Sequence, residues 1–133
     1  DVYHLLSLLE SDAAGTAATQ ATDAQLQELQ TLHNELEAAA NPKTADRARF
    51  FELNERFHMH LLEIADNRWS KQMVTDLRKV MKLNRHNSLL KTGRINESLQ
   101  EHRQLMTALT ARDAALTKRC MQDHFRNGLE AAA

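Results

Sequence analysis

The chain has 133 residues, 42% of them hydrophobic and 26% charged, which is the composition of one ordinary folded domain and excludes a disordered chain. Its 17 basic and 18 acidic residues give a net charge of −1, so no strong positive field attracts DNA or an anionic membrane. The apolar runs are too short to span a bilayer, and a single cysteine excludes an internal disulfide. We therefore expect one cytoplasmic domain that binds neither DNA nor membranes by itself. Because it begins with Asp1, we also expect it to be a piece of a longer protein.

Three glycines and one proline leave few places to turn a strand, so the sequence predicts an all-α fold. The first helix is predicted from about Val2 to the region of Gly15, where the glycine bends or ends it. The second begins at a capping box, Thr22 to Gln25, and stops at Asn41-Pro42.

The third predicted helix follows Pro42 and ends at Asp66-Asn67. The fourth covers roughly Trp69 to Leu90 and is ended by Thr92-Gly93. Its expected core stripe contains Met73, Leu77, Val80, Met81 and Leu83, and Trp69 is expected in the core beside them.

Asn96 is predicted to cap the fifth helix and Asp113 to cap the sixth, which Asn127-Gly128 should close. Six to seven helices with short connections predict an antiparallel bundle.

Four polar side chains fall inside the apolar arcs of three of these helices. Asn54 and His58 are one turn apart in the third helix, His102 lies mid-arc in the fifth, and His124 lies within the arc of the sixth. Each buried polar group without a partner costs about 1 to 3 kcal/mol, so something must compensate for four of them. A divalent transition metal does so, because imidazole nitrogens and an amide oxygen can ligate one ion. Zinc is the first candidate and nickel or manganese the alternatives.

A single inward histidine is more often an ordinary core residue than a ligand. His33 also falls inside an apolar arc, so periodicity alone does not separate ligands from other buried histidines. His4 and His86 point away from their stripes and are expected in solvent, whereas His60 lies at the edge of one. Cys120 is interpreted as a buried structural cysteine.

Two arginines flank the stripe of the fourth helix at seven-residue spacing, Arg78 and Arg85, and Asn84 falls within that stripe. The simpler interpretation is a pair of surface arginines whose stems cover apolar neighbours. The alternative is a guanidinium pair that, with Asn84, binds an anionic effector.

Two runs of the sequence match segments of a known family in order and spacing. The first run is Asn54-Glu55-Arg56-Phe57-His58 followed by Leu61-Leu62-Glu63-Ile64-Ala65-Asp66-Asn67, and the second is Ser98-Leu99-Gln100-Glu101-His102 followed by Ala108-Leu109, Arg112-Asp113 and His124. They resemble the "D-x-x-F-H…L…A-x-N" and "S-x-x-E-H…A-[IL]…D…H" segments of the FadR-type C-terminal ligand-binding domain of GntR-superfamily bacterial transcription regulators. The opening Val2-Tyr3 to Leu9-Glu10 resembles the first helix of that domain, so the resemblance covers essentially the whole chain.

The resemblance implies a dimeric helical domain whose central cavity binds a small organic acid beside a metal. It places the metal ligands on Asn54, His58, His102 and His124. It also implies that an N-terminal winged helix-turn-helix domain, absent from this chain, binds operator DNA in the parent protein. Two positions depart from the family pattern, because Asn54 replaces a commoner Asp and Leu6 replaces a frequent arginine.

Three functions are therefore compared. The first is an effector-sensing and dimerisation domain, residues 1–133, which binds a small carboxylate at a metal and needs no chemistry. The second is a helical metalloenzyme whose open metal position activates water. Against it, the sequence places no carboxylate inward beside the histidines, since Glu101 points away from His102. The third is a metal-free structural dimer module whose histidines bond to water. We favour the sensor.

Overall fold

The computed structural model describes residues 1–41, 46–90 and 93–132, and the side chains of all of these except 84–90 and 129–132. This part of the chain forms six α-helices and no β-strand, which confirms the predicted all-α bundle. The helices are α1 (Val2–Gln20), α2 (Asp23–Ala39), α3 (Arg47–Ala65), α4 (Arg68–Leu90), α5 (Arg94–Thr110) and α6 (Ala114–Ala132). None of them, over the described residues, is both long and apolar enough to cross a lipid bilayer.

Local hydrogen bonds confirm several predicted helix ends. Thr22 and Gln25 form the reciprocal capping box, with oxygen-to-nitrogen distances of 3.1 and 2.8 Å. Asp113 caps α6 by accepting a 3.0 Å hydrogen bond from the amide of Leu116. Asp66 ends α3 in the left-handed conformation, with φ at 56°. These ends are predictable because the residues that make them are neighbours in sequence.

The prediction that α1 ends near Gly15 is wrong, since the helix continues to Gln20. A Cβ at Gly15 would lie 3.4 Å from the carbonyl oxygen of Ala114 and 3.7 Å from Cβ of Lys118. The glycine therefore allows α1 to approach α6 closely and does not break the helix.

Two other boundaries also differ from the prediction. Gly93, with φ at 80°, is the N-cap of α5, so Asn96 lies inside its first turn and is not the cap. The α6 helix continues through Asn127-Gly128 to Ala132. A Cβ at Gly128 would lie 3.6 Å from the ring of Tyr3, which makes this glycine a point of close approach to α1. The predicted helix stops at Pro42 and Thr92 lie outside the described residues.

Helix α1 lies at the centre of the bundle, in contact with α3, α4, α5 and α6, while α2 packs against α3 and α5. Apart from Glu10, its buried residues are Leu6 and small side chains, which brings its neighbours close. The core it organises includes Leu6, Ala14, Ala17, Phe50, Phe57, Leu61, Leu105, Leu109 and Met121.

The prediction of which residues of α4 lie in the core is largely wrong. Trp69, Met73, Val80 and Leu83 are 67%, 51%, 47% and 79% exposed. Met81 is buried as predicted, and the buried face also carries Val74 and Arg78, which precede it by seven and three residues. The sequence analysis placed Arg78 at the flank of the stripe as a surface arginine, whereas the structure pairs it with Glu10 in the interior.

Candidate metal centre

Three imidazoles from three helices meet inside the bundle. His58 on α3, His102 on α5 and His124 on α6 are buried, and one ring nitrogen from each lies within 4.8 Å of the others. Their ring centroids are 5.0 to 5.3 Å apart. The structure therefore brings together the three histidines that the helical periodicity selected.

Asn54 precedes His58 by one turn of α3, and both line the same small pocket as His124. The Asn54 side-chain oxygen, Nε2 of His58 and both ring nitrogens of His102 are buried without a hydrogen-bond partner among the described residues. Each such atom costs about 1 to 3 kcal/mol when it is left unsatisfied. Imidazole nitrogens and an amide oxygen are suitable ligands for a divalent transition metal, so these unpartnered atoms fit a bound ion.

Glu10 of α1 contacts His58 through Nδ1 of the imidazole. Its Oε1 lies 2.7 Å from Nδ1 of His58, and both side chains are fully buried. Arg78 of α4 donates two hydrogen bonds to the same carboxylate, from Nε at 3.0 Å and from Nη2 at 2.9 Å. The carboxylate therefore joins three helices at one point.

Glu101 of α5 supports His124 in the same manner. Its Oε1 lies 2.5 Å from Nδ1 of His124, and Asn127 donates a 2.8 Å hydrogen bond to Oε2. Arg94, at the start of α5, donates two hydrogen bonds of 3.0 Å to this carboxylate. Two of the three clustered histidines thus contact a carboxylate that is itself held by an arginine.

The surroundings keep the carboxylates charged and the buried imidazoles neutral. Burial alone would raise the pKa of Glu10, but the charge of Arg78 and the contact with His58 outweigh it and hold that pKa at about 2. Burial would likewise raise the pKa of Glu101, but the hydrogen bonds from His124 and Arg94 outweigh it and hold that pKa at about 2. Burial lowers the pKa of His58 to about 4 and that of His102 well below its usual range.

Neutral imidazoles have a lone pair available for a metal at neutral pH. An ionised carboxylate only accepts hydrogen bonds, so Nδ1 of His58 donates to Glu10 and its lone pair is on Nε2.

A pocket of about 50 Å³ opens beside the cluster. Its polar lining includes Tyr3, Asn54, Arg78, Arg94 and Ser98. Nη1 of Arg78 is buried and has no hydrogen-bond partner among the described residues, which leaves one NH2 group of this pocket-lining guanidinium unsatisfied. The predicted effector residue Arg78 is therefore buried, not a surface arginine. The side chains of Asn84 and Arg85 lie outside the described residues.

The other histidines with described side chains and the cysteine are not members of the cluster. His33 is buried, as its arc position indicated, but its Nε2 lies 3.0 Å from Glu37, so this histidine has its own partner. His60 contacts Glu28 at 2.9 Å, and His4 is exposed. Cys120 is partly buried, and burial raises the pKa of its thiol. His86 lies outside the described side chains.

The expectation that no carboxylate lies beside the histidines is wrong, because Glu10 and Glu101 both contact them. Glu10 could have been found, since it follows Leu6 by one turn on the face that continues to Ala13 and Ala17. Arg94 was missed because the fifth helix was expected to begin at Asn96. Glu101 does point away from His102, but towards another helix, and that contact has no sequence signal.

The fold and this cluster define an all-helical domain with a buried candidate metal centre of three histidines. The family model described as FCD domain matches residues 1–127. The chain therefore belongs to the FCD domain family.

The curated relatives of this chain are transcription regulators. The chain is 29% identical over 119 residues to the HTH-type transcriptional repressor RspR of Escherichia coli strain K12, which covers 89% of this chain and 51% of that protein. The same values are found for the HTH-type transcriptional regulator YdfH of Shigella flexneri. The chain thus spans about half the length of the curated relatives it matches.

Two solved structures share the fold. E. coli McbR/YncC aligns with a TM-score of 0.87 at 20% identity, over 98% of this chain and 62% of that one. Streptococcus agalactiae GntR aligns with a TM-score of 0.78 at 24% identity, over 95% and 55%.

Replacing Arg78 with Met should leave the buried Glu10 carboxylate without its guanidinium and lower the free energy of unfolding by about 3 to 5 kcal/mol. The double variant Arg78→Met/Glu10→Leu should recover a large part of that loss, because it removes both charges. Lys82→Met is the matched control on α4, since its 2.9 Å contact with Glu55 is partly exposed and surface pairs contribute about 0 to 1 kcal/mol. Urea denaturation measures all three, and an Arg78→Met loss no larger than that of the control would contradict the structure.

Proposed function

We propose that this chain is the effector-sensing and dimerisation domain of a GntR-family transcription regulator. A small carboxylate binds beside a divalent metal, and its binding controls the DNA affinity of a separate N-terminal domain. The observation that carries this proposal is a cluster of three buried imidazoles in which Nε2 of His58 and both ring nitrogens of His102 have no hydrogen-bond partner among the described residues. The adjacent pocket is lined by Arg78, whose Nη1 also has no such partner. Family membership supports the regulatory role.

Asn54, His58, His102 and His124 would hold the ion, with zinc as the first candidate and nickel or manganese as alternatives. When bound, the ion supplies a positive centre to which a carboxylate oxygen can attach. The chain's own contribution is a buried set of imidazoles, two of which contact Glu10 and Glu101 through Nδ1. The uncharged amide of Asn54 contributes an oxygen donor but no charge.

Control of DNA binding requires that the carboxylate bind one conformation of the regulator better than the other. The central helix α1 supplies both Tyr3 in the pocket wall and Glu10 behind His58, so ligand binding is linked directly to its position. Operator DNA is then bound by the parent protein through its N-terminal domain, in the cytoplasm. Two curated relatives are an HTH-type transcriptional repressor and an HTH-type transcriptional regulator, which supports this arrangement.

A metalloenzyme is the less favoured function. The two carboxylates near the cluster contact Nδ1 of their histidines and are each held by an arginine. Their pKa values of about 2 make them poor proton acceptors near neutral pH, where an efficient general base has a pKa near the working pH. A binding site that senses a ligand needs no such base.

The exposed apolar stripe of α4 supports dimerisation. Trp69, Met73, Val80 and Leu83 are spaced by four, seven and three residues, as in the seam of two packed helices. Contiguous exposed apolar side chains mark interaction surfaces. We assign this surface to a second copy of the chain.

Purified chain should contain close to one divalent metal per protomer after incubation with zinc, measured by mass spectrometry. The variant His102→Ala/His124→Ala should contain almost none, because two of the four proposed ligands are gone. The matched control is His33→Ala, since His33 is buried but is not a member of the cluster and contacts Glu37 instead. Equal metal in the parent and the double variant would refute the site.

Binding of acetate, succinate and citrate to zinc-loaded chain should be detected by calorimetry for at least one of these acids. Arg78→Lys should weaken it about 10-fold or more at unchanged metal content, because lysine cannot hold Glu10 and donate into the pocket together. Lys79→Met, an exposed change on the next residue, should have no effect. Equal affinity of parent and Arg78→Lys would exclude Arg78 as an effector residue.

Sedimentation of the parent chain at micromolar concentration should give a dimer. Met73→Lys/Val80→Lys should give a monomer with unchanged helix content by circular dichroism, because it places two charges in the proposed seam. Leu116→Lys on α6 is the control, as that leucine is also exposed but lies on another helix. A dimer that survives the double change lies elsewhere on the surface.

A further inference from the structure

The two arginine–glutamate–histidine contacts share one pattern. In each, the arginine donates two hydrogen bonds to the carboxylate, and Oε1 of that carboxylate also contacts Nδ1 of a clustered histidine. The first set takes its residues from α4, α1 and α3, and the second from α5 and α6. The same arrangement is therefore built twice, from different helices, around one cluster of rings.

We propose that Glu10 and Glu101 are positioning residues that fix the tautomer and the direction of two imidazoles. Each carboxylate accepts a hydrogen bond from Nδ1–H, which leaves the lone pair on Nε2 and turns Nε2 of His58 and His124 towards the cluster. The inference deepens the proposed metal centre and rests on it.

The chemistry of the groups supports this assignment. A carboxylate held by a bidentate guanidinium only accepts hydrogen bonds, so the ring nitrogen in contact with it must carry the proton. The lone pair of the other ring nitrogen is then available to an ion. The hydrogen bond on the opposite side of the ring thus decides which nitrogen can bind the ion. Nε2 of His58 is buried without a partner among the described residues, as this requires.

His102 lacks this support and provides an internal comparison. Neither of its ring nitrogens has a hydrogen-bond partner among the described residues, and its ring packs 4.9 Å from the ring of Phe57. Packing therefore orients His102, whereas carboxylates orient His58 and His124. We expect His102 to show no fixed tautomer before an ion binds.

The two arginines that hold these carboxylates also have a second role, at the pocket. Arg78 and Arg94 hold the two carboxylates and also line the pocket beside the cluster. An anion that contacts Arg78 would therefore act on a residue that two successive hydrogen bonds, through Glu10, connect to Nδ1 of His58. The pocket and the imidazole cluster are one connected unit.

The test uses Glu101, because it is less buried than Glu10 and its removal is less severe. Long-range proton–nitrogen spectra of ¹⁵N-histidine-labelled, metal-free chain should show the Nδ1–H tautomer for His58 and His124. Glu101→Leu should abolish that tautomer for His124 alone and weaken zinc binding about 10- to 100-fold, measured by competition with a chromophoric chelator. Glu101→Gln keeps an oxygen acceptor and should retain more of both properties.

Glu97→Leu is the matched control, since Glu97 also contacts Arg94, at 3.5 Å, but is largely exposed. Its zinc affinity should stay within about twofold of the parent, well short of the loss that removing a carboxylate partner of a ligand causes. Should Glu101→Leu fail to fold with Arg94 left unpaired, Arg94→Met/Glu101→Leu removes both charges and tests the same contact. An Nε2–H tautomer of His124 in the parent would overturn the inference, as would a Glu101→Leu chain that binds zinc as tightly as the control.

The two proposals fail separately. Nδ1–H tautomers in a parent chain that binds no zinc would refute the metal centre and leave the positioning of the rings supported. Zinc binding with the opposite tautomers would refute the positioning role and support the metal centre.

Discussion

The buried contact among Arg78, Glu10 and His58 constrains the packing of three helices at once. An ionised carboxylate is stable in the interior only when its charge and its lone pairs are matched, and here α3 and α4 must both approach α1 to do so. The register of the central helix is thereby tied to the position of a clustered imidazole. A shift of α1 along its axis would separate the carboxylate from both partners.

A buried ion pair of this kind adds little net stability to a helical bundle. Apolar residues of similar volume often stabilise a protein as well as a buried ion pair does, because desolvation offsets the attraction between the charges. The bundle already contains an apolar core on both sides of the contact, including Leu6, Phe57 and Leu61. The charged groups are therefore better explained by the orientation of the imidazoles than by stability, which agrees with their repetition around His124.

Features set by residues that are neighbours in sequence can be predicted for this protein, whereas features set by contacts between different helices cannot. Helix periodicity and the local cap at Thr22 predict most elements, and the same periodicity places His58, His102 and His124 inward. The rule that polar residues face solvent then fails for Glu10 and Arg78, because each is buried only by the presence of the other. The converse rule, that large apolar residues are buried, fails for Trp69, since a monomer surface can carry apolar residues that a partner would cover. Contacts between helices depend on packing that no single helix encodes.

Charge balance explains why a site of this composition would favour an anion. The negative charges of Glu10 and Glu101 are matched by Arg78 and Arg94, and the proposed ligands are three imidazoles, which carry no charge when they bind an ion, and the neutral amide of Asn54. A divalent ion held there would keep its full charge, whereas the commoner aspartate would cancel one unit. The amide therefore weakens the hold on the ion but strengthens the attraction of the ion for a carboxylate. Because binding free energies are reciprocal, the carboxylate would in turn raise the affinity for the ion, so metal and effector binding would be coupled in this domain.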